Sequence, residues 1–221
     1  MDKRCLVICS GGLDSTTAAA HARIIDRRDA ILMHYLYGCR AQPREVEAVH
    51  AIADELQAEL VFADLSWLKD LGGSRLTDPD AWISESIEGA EYPHEWVPAR
   101  NLVMIAHAAA YCDAHEIGSI YMGLNLEESA VYPDNTIEFY EKINSILPLA
   151  TLRRPTIHMP LARMMKWQIV RHAYEIGAPI HLSWSCYRSG ERHCGHCGPC
   201  YMRKTAHAMI GAVDTVEYED L

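Results

Sequence analysis

The sequence has 221 residues, of which 49% are hydrophobic and 23% charged, enough to build the core of one large domain or of one domain with an appendage. Its formal net charge of -10 argues against a protein whose main task is to coat nucleic acid. No stretch is long and apolar enough to span a membrane, and the first residues lead into a strand pattern and not a signal peptide, so we expect a cytoplasmic protein. In that compartment the eight cysteines favour metal binding or chemistry over disulfides.

The first predicted element is a buried strand at residues 5–9, which leads directly into a glycine-containing loop. The loop precedes an Ala-rich helix pattern and reads Ser10-Gly11-Gly12-Leu13-Asp14-Ser15. Two adjacent glycines let the backbone approach a ligand closely, and their N–H groups, with those at the helix start, favour a phosphate. The loop lacks the lysine of a Walker A motif and the spacing of a dinucleotide fingerprint. We therefore predict a phosphate-binding loop of another type, the alternative being an ordinary capped turn.

Strand and helix patterns then alternate along the chain. Helices are predicted at residues 14–27, 43–60, 100–115, 133–147 and 164–176, and strands at 31–37, 60–63, 117–124 and 156–160. This alternation favours a doubly wound α/β fold with a mostly parallel sheet, in which ligands bind beyond the carboxyl ends of the strands. Residues 66–98 break the pattern with repeated Gly and Pro, and we interpret them as a segment that closes over a site or, alternatively, as an excursion without a role.

Four cysteines gather near the C-terminus. Cys194, Cys197 and Cys200 have the spacing C-x-x-C-x-x-C, and Cys186 precedes them across a Gly-containing segment. Four thiolates can close a tetrahedral shell around zinc and leave no position for water, so we predict a structural zinc site. An iron–sulfur cluster and a redox thiol site are the alternatives.

The composition changes near residue 180, which predicts a main α/β domain at residues 1–180 and a four-cysteine lobe at 181–221. We expect the metal to hold Arg203, Lys204 and the final helix against the main domain. The remaining cysteines are interpreted as packing residues, namely Cys5, Cys9, Cys39 and Cys112.

Several motifs, spread over nearly the full length, are specific in combination. They are the loop at residues 10–17, Leu-Gly-Gly-Ser-Arg-Leu-Thr at 71–77, Trp-Val-Pro-Ala-Arg-Asn at 96–101, Gly-Leu-Asn at 123–125, Tyr-Pro-Asp at 132–134, and Ser-Trp-Ser-Cys at 183–186 continuing to residue 200. Together they resemble the 7-cyano-7-deazaguanine synthase (QueC) family of the ATP pyrophosphatase superfamily. The resemblance implies an adenine nucleotide α hydrolase-like fold, a PP-loop ATP-binding domain over residues 1–180, one zinc on the four clustered cysteines, and a homodimer.

The resemblance also implies an activity. In that family ATP adenylates the carboxylate of 7-carboxy-7-deazaguanine, ammonia displaces AMP to give the amide, and a second activation dehydrates the amide to 7-cyano-7-deazaguanine (preQ0). A carboxylate is a poor electrophile and its mixed anhydride with AMP a good one, so the protein must hold the α-phosphate beside the carboxylate and stabilise charge on phosphorus. We expect Arg100 and Lys166 to do so, with Mg²⁺ on the pyrophosphate. Asp14 is expected to orient the magnesium or the loop, unless it is only a helix-start carboxylate.

The resemblance carries these expectations to named residues. The catalytic candidates are Asp14, Arg100 and Lys166. The predicted ATP-binding residues are Cys9, Ser10, Gly11, Gly12, Leu13, Asp14, Ser15, Thr16, Thr17, Arg100 and Asn101. The predicted substrate-binding residues are Tyr37, Asn125, Tyr132 and Asp134. The predicted zinc ligands are Cys186, Cys194, Cys197 and Cys200.

Two segments depart from the family pattern. The family has Asp-Tyr-Gly-Gln-Arg-His where this chain has Leu-Tyr-Gly-Cys-Arg-Ala at 36–41. It has Asp-Tyr-Ser-Gly-Tyr-Pro-Asp-Cys-Arg where this chain has Glu-Ser-Ala-Val-Tyr-Pro-Asp-Asn-Thr at 128–136. Because these segments bear on the acceptor, two hypotheses stay open. One is nitrile synthesis with ammonia, and the other is transfer of the activated acyl group to an amine on a protein or another macromolecule, without nitrile formation.

Three further interpretations remain. A tRNA-thiolating enzyme would need Cys39 or Cys112 to carry sulfur. A zinc-ribbon tail could contact RNA or protein through the basic residues Arg188, Arg192, Arg203 and Lys204. A non-enzymatic ATP-binding regulator is the third. The acidic balance favours a small-molecule or protein acceptor over nucleic acid.

Overall fold

The structure is a computed structural model that describes residues 3–85 and 95–219. Within these residues five parallel strands form one sheet in the order β3-β2-β1-β4-β5, where the strands are β1 Arg4–Ile8, β2 Asp29–Leu36, β3 Glu59–Asp64, β4 Ser119–Met122 and β5 Thr156–His158. The α-helices are α1 Leu13–Ala20, continued by a π-helical turn at His21–Ile25, α2 Gln42–Leu56, α3 Arg100–His115, α4 Ile137–Ala150, α5 Lys166–Ile176 and α6 Gly198–Met209. Short 3₁₀ segments lie at Ser66–Leu71, Glu128–Ala130, Pro133–Asn135 and Ile180–Leu182.

Helices cover both faces of the sheet, which is why the central strand is apolar without alternation. In β1 the side chains of Cys5, Leu6 and Val7 are fully buried. The face that bears Leu6 packs against α3 and α4, and the face that bears Val7 packs against α1, α2 and α5. Parallel sheets occur almost exclusively with both faces shielded from water, and the doubly wound α/β prediction is confirmed.

The strand order places the switch in winding direction between β1 and β4. β2 and β3 follow on one side of β1, while β4 and β5 lie on its other side. The crevice at the carboxyl ends of β1 and β4 is where such sheets bind ligands. The segments that follow these two strands therefore form the candidate site.

Most element boundaries differ from the prediction by a few residues, and in two cases the local reason is clear. α2 ends at Leu56 because Gln57 takes a left-handed conformation, with φ of 50°, and turns the chain into β3. The helix predicted at residues 133–147 is divided, because Thr136 caps the start of α4 by accepting a hydrogen bond from the Phe139 N–H at 3.2 Å.

The irregular segment at residues 66–98 begins with the 3₁₀ segment at Ser66–Leu71. The structure describes this segment up to residue 85 and again from residue 95. Residues 86–94, on which part of the predicted closing role falls, lie outside the described residues. Among the helices of the described ranges, none combines the length and the apolar character needed to cross a membrane.

Candidate active site

The loop between β1 and α1 is shaped by its own hydroxyl groups. Gly11 has φ of +83°, and a Cβ there would lie 2.9 Å from the Glu45 carbonyl oxygen. The Ser15 hydroxyl accepts a hydrogen bond from the Ser10 N–H at 3.2 Å and donates to the Gly12 carbonyl at 3.1 Å. Gly12 is the N-cap of α1 and offers no side-chain cap, so the first N–H groups of that helix have no partner within it. These groups are the positive end of the helix dipole, which suits a phosphate.

An acidic residue in the first turn of α1 is bound to a lysine from the start of α5. Lys166 Nζ lies 2.5 Å from Asp14 Oδ2. Asn125 Nδ2 donates to the same Asp14 oxygen and to Glu128 Oε1, each at 2.7 Å. Asp14 Oδ1 is buried and has no hydrogen-bond partner among the described residues. Lys166 Nζ also lies 3.8 Å from Glu128 Oε1, so one ammonium group is near two carboxylates at the edge of the glycine loop.

The close approach of β4 to α1 depends on a glycine just beyond the strand. A Cβ on Gly123 would come within 2.6 Å of the backbone of Asp14. At the other end of β4, a Cβ on Gly118 would meet nothing within 4 Å. Gly123 is thus required by packing at the site, whereas Gly118 is not.

A second wall is built by the end of β2, the start of α3 and the 3₁₀ segment before α4. The Arg100 guanidinium donates to the Tyr37 hydroxyl at 3.2 Å and lies 5.3 Å from the centroid of the tyrosine ring. The Asn101 N–H donates to Asp134 Oδ2 at 3.3 Å, and its side-chain amide donates to Asn135 Oδ1 at 2.9 Å. This wall therefore presents a guanidinium beside polar oxygen acceptors.

The two walls enclose a cavity of about 230 Å³. The predicted site residues that line it are Ser10, Gly12, Leu13, Asp14, Ser15, Tyr37, Arg100, Asn101, Tyr132, Asp134 and Lys166. The predicted residues that do not line it are Cys9, Gly11, Thr16, Thr17 and Asn125. The hydroxyls of Thr16 and Thr17 donate instead to carbonyls of the preceding turn, at 2.7 and 2.8 Å. Asn125 lies outside the cavity lining and donates a hydrogen bond to Asp14.

Sequence reasoning assigned no role to several residues that the structure places on the cavity wall. Glu45 from the first turn of α2, Glu95 and Glu128 all line the cavity. Trp96 lines it too and stacks on Tyr132, with ring centroids 5.7 Å apart. The position of Glu45 at a helix start was the available signal, because helices that follow strands begin at the edge of the sheet where ligands bind.

Burial changes the acidity of carboxyl groups at this cavity. It raises the pKa of Glu45 to about 7, although a hydrogen bond from Cys39 Sγ at 3.3 Å acts in the opposite direction. Burial also raises the pKa of Glu128, against the opposing charge of Lys166. The pKa of Asp134 is raised by the same cause. These carboxyl groups therefore lose their protons at a higher pH than exposed carboxyl groups do.

The four C-terminal cysteines converge on one point. The Sγ atoms of Cys186, Cys194, Cys197 and Cys200 are buried and lie within 4.8 Å of one another. Tetrahedral zinc with Zn–S bonds of about 2.3 Å needs sulfur–sulfur distances of about 3.8 Å. The distance between the Sγ atoms of Cys186 and Cys197 is 4.0 Å, and the Arg188 N–H donates to Cys186 Sγ at 3.3 Å. These residues can therefore hold a metal ion such as zinc.

The other cysteines are buried and carry free thiols. Burial raises the pKa of Cys5 and of Cys112 to about 12, so these thiols stay protonated and are poor nucleophiles. Their interpretation as packing residues agrees with this burial. Cys112 lies wholly inside the core, which weighs against a sulfur-carrying role.

The cysteine-bearing segment contacts the glycine loop directly. The Trp184 N–H donates to the Gly11 carbonyl at 2.9 Å, and the Trp184 indole N–H donates to the Cys186 carbonyl at 2.7 Å. Arg203 of α6 is fully buried and donates to the Ser183 hydroxyl at 2.7 Å. A metal held by the cysteines would therefore also stabilise the backbone that supports the loop.

Comparisons with known proteins agree with these features. A family model described as "Queuosine biosynthesis protein QueC" matches residues 4–211. Proteins named 7-cyano-7-deazaguanine synthase are 44% identical in Saccharolobus solfataricus over 98% of this chain, 40% identical in Methanothrix thermoacetophila over 98%, and 35% identical in Campylobacter curvus over 99%. The chain spans 99% of the latter two proteins but 48% of the first, and thus about half the length of the first curated relatives that it matches.

Among solved structures, NMN synthetase from Francisella tularensis has a TM-score of 0.49 and 13% sequence identity, over 96% of this chain and 78% of that one. That likeness is too weak to support an inference. The family match, by contrast, extends across both the glycine loop and the cysteine cluster. The chain therefore belongs to the QueC family.

Proposed function

We propose that the chain uses ATP to adenylate the carboxylate of 7-carboxy-7-deazaguanine and, with ammonia, converts that carboxylate to the nitrile of 7-cyano-7-deazaguanine. The observation that carries the proposal is a single cavity in which the uncapped start of α1 and Lys166 lie on one wall and Arg100 on another. The relatives named for this product support the choice of substrate.

The phosphates of ATP would lie against the first turn of α1. There the N–H groups after Gly12 and the ammonium of Lys166 face the cavity, and both favour the negative charge that develops on phosphorus. Magnesium bound with ATP would neutralise part of the phosphate charge. Asp14 and Glu128, which share the one lysine, supply oxygen ligands of the kind that Mg²⁺ prefers.

The deazaguanine would lie against the second wall. The stacked pair of Trp96 and Tyr132 supplies a flat apolar surface for a fused aromatic ring. Asp134 can accept hydrogen bonds from the N–H groups of a guanine-like edge. Arg100 can hold the substrate carboxylate and direct it toward the α-phosphate, as Arg recognises carboxylates through parallel N–H donors.

In this reaction no side chain forms a covalent bond with the substrate. A carboxylate oxygen attacks the α-phosphorus, pyrophosphate leaves, and ammonia then displaces AMP to give the amide. Activation of the amide oxygen by a second ATP, followed by loss of AMP and of the amide protons, gives the nitrile. The contribution of the protein is positioning together with electrostatic stabilisation.

The test is incubation of the chain with ATP, Mg²⁺, 7-carboxy-7-deazaguanine and ammonia, followed by mass analysis of the products. Nitrile together with AMP and pyrophosphate is the expected result. Accumulation of adenylate or amide without nitrile would favour the alternative in which the acyl group passes to an amine on a protein or another macromolecule. Formation of ADP and phosphate would contradict the assignment of the loop.

Several finer features belong to the same proposal. The metal on the cysteine cluster would be structural zinc, since four thiolates complete its shell. The PP-loop domain would comprise residues 1–180 and the zinc lobe residues 181–221. The free thiols support a reducing, cytoplasmic location. Elemental emission would distinguish zinc from iron.

A homodimer is also proposed. The end of α4 and the segment just after it expose large apolar side chains, namely Ile146 at 52%, Leu149 at 87% and Leu152 at 91%. Apolar groups that cluster on a surface in this way support an interface. Light scattering of the chain and of a Leu149→Glu variant would test it, and we expect a dimer for the first and a monomer for the second.

A further inference from the structure

Glu45 lies on the wall of the cavity in which the acyl adenylate is proposed to form. It occupies the first turn of α2, lines the cavity, and is adjacent to the glycine loop, since its carbonyl oxygen lies within 2.9 Å of a Cβ position on Gly11. Oε2 accepts a hydrogen bond from Cys39 Sγ at 3.3 Å. The side chain is therefore fixed by one weak donor and can accept a proton from the cavity.

The other carboxyl groups at the cavity are bound more firmly. Asp14 is paired with a lysine and an asparagine, and Glu128 receives the same asparagine amide and lies near the same lysine. Asp134 accepts the N–H at the start of α3. Glu95 accepts a backbone N–H and is nearly inaccessible. Asp14 Oδ1 and Glu95 Oε1 also lack a hydrogen-bond partner among the described residues, but both atoms are buried. Glu45 lines the cavity with a thiol as the donor to its carboxylate, so its lone pairs are the most available for chemistry.

We infer that Glu45 is the general base that accepts the proton from the amine as the amine attacks the acyl adenylate. The inference rests on the proposed adenylation. In the step, the nitrogen lone pair forms the C–N bond, and one N–H proton passes to the Glu45 carboxylate. The C–O bond to AMP breaks, and its electron pair stays on the AMP phosphate. Glu45 then releases the proton to solvent, so no oxidant or further reactant is needed.

The titration of this carboxyl is consistent with that role. Besides Glu45, the titratable and charged groups that face it are Cys39, Tyr37, Arg100 and Cys9. Burial holds the pKa values of Tyr37 and Cys39 well above their ordinary range and raises that of Cys9, so these groups stay neutral. The pKa of Glu45 is raised to about 7 by burial, which places a base with suitable strength near neutral pH.

The experiment compares Glu45→Gln with Glu47→Gln. Glu47 lies on the same helix, is largely exposed, and pairs with Arg44 at 2.8 Å outside the cavity. Two reactions are followed for each protein. ATP–pyrophosphate exchange dependent on 7-carboxy-7-deazaguanine measures adenylation, and formation of amide from ammonia measures acyl capture.

For Glu45→Gln we expect exchange within about twofold of wild type and amide formation reduced by about 10²–10⁴-fold, whereas Glu47→Gln changes neither rate. Hydroxylamine should restore acyl capture by the Glu45 variant, and the product would be the hydroxamate. It is a less basic amine, so its attacking nitrogen loses its proton to water readily. At a fixed concentration of unprotonated ammonia, the wild-type rate should rise with pH through about 7, and this rise should be absent from the variant.

Three results would overturn the inference. Glu45→Gln could form amide at a rate near that of wild type, or it could lose exchange and amide formation equally, which would mean a role in ATP binding or folding. Absence of pyrophosphate exchange in the wild-type chain would remove the proposed function, and the inference with it. Because exchange is measured separately, this last result is distinguishable from the first two.

Discussion

The glycine loop at residues 10–17 and the cysteine cluster at residues 186–200 are linked through Trp184, but they use their polar groups in opposite ways. In the loop, the Ser10 and Ser15 groups bond to one another and to the backbone, and the start of α1 is left uncapped toward the cavity. In the cluster, all four sulfur atoms are buried and face one another. The loop therefore keeps its binding capacity for a ligand, whereas the cluster is complete once it holds a metal. We expect changes in the loop to alter activity and changes in the cluster to alter stability.

The largest effect is expected from the cluster. Cys194→Ser removes one of four ligands, and binding of a structural metal is worth about 10 kcal/mol or more of folding free energy, so the variant should lose its metal and its melting temperature should fall by at least about 10 °C. Elemental emission and thermal unfolding measure the two effects. Cys112→Ser, a buried cysteine outside the cluster, should keep its metal. A Cys194 variant with wild-type metal content and melting temperature would contradict the expectation that the cluster stabilises the fold.

The next effect concerns the site beside the loop. Lys166→Met removes the ammonium that faces the cavity, while Asp14 keeps its hydrogen bond from Asn125. We expect pyrophosphate exchange to fall by about 10²–10³-fold with a change in melting temperature of less than about 5 °C. The exposed Lys142 on α4 provides the matched control. If Lys166→Met chiefly lowered stability and left exchange intact, the pair with Asp14 would be structural.

A smaller effect tests the close packing behind the loop. Gly123→Ala places a methyl group 2.6 Å from the Asp14 backbone, so α1 must shift, at a cost of about 1–3 kcal/mol. Calorimetric titration should also show weaker ATP binding, because the same shift moves the first turn of the helix. Gly118→Ala, at the other end of β4, should leave both quantities close to wild type. Equal behaviour of the two variants would contradict the packing argument.

The smallest effect is a pH dependence of stability. Burial lowers the pKa of His34, whose Nδ1–H donates to the Cys9 carbonyl at 3.0 Å behind the loop. The unfolded chain therefore binds a proton below a pH of about 6.5 that the folded chain does not, and stability should fall by about 1 kcal/mol as the pH is lowered from 7 toward 5. Denaturant unfolding of His34→Gln should show a weaker loss over this range. His181→Gln, an exposed change at a residue that does not contribute to the shift of the His34 pKa, should keep the wild-type dependence.

Local sequence was sufficient to predict those parts of the fold that depend on neighbouring residues. The helix predicted at residues 100–115 has the same bounds in the structure, because a preceding Pro at 98 and a regular apolar pattern both act locally. The helix predicted at residues 133–147 was divided instead, because the side chain of Thr136 captured the Phe139 N–H and started α4 later. The residue at which such a helix starts depends on the geometry of the competing caps, and the spacing of apolar residues does not predict that geometry.

Family resemblance identified more of the candidate site residues than hydrophobic periodicity did, but it did not identify all of them. Lys166 was identified through the resemblance, and the structure places it on Asp14, 152 positions away. Glu45 was overlooked, because on its own it is an ordinary acidic residue in the first turn of a helix. Its position on the cavity wall follows from the packing of α2 against the glycine loop.

The sequence by itself determined the glycine loop after β1 and the four-cysteine cluster, because in both cases the groups that act together lie close in the chain and their backbone geometry is local. Only the tertiary structure decided which carboxylates share Lys166, which glycine must lack a side chain, and which acid on the cavity wall accepts its hydrogen bond from a thiol. Those relationships join β4, α2 and α5 across the sheet. Burial and pairing across such distances arise from packing, and no short stretch of sequence specifies them.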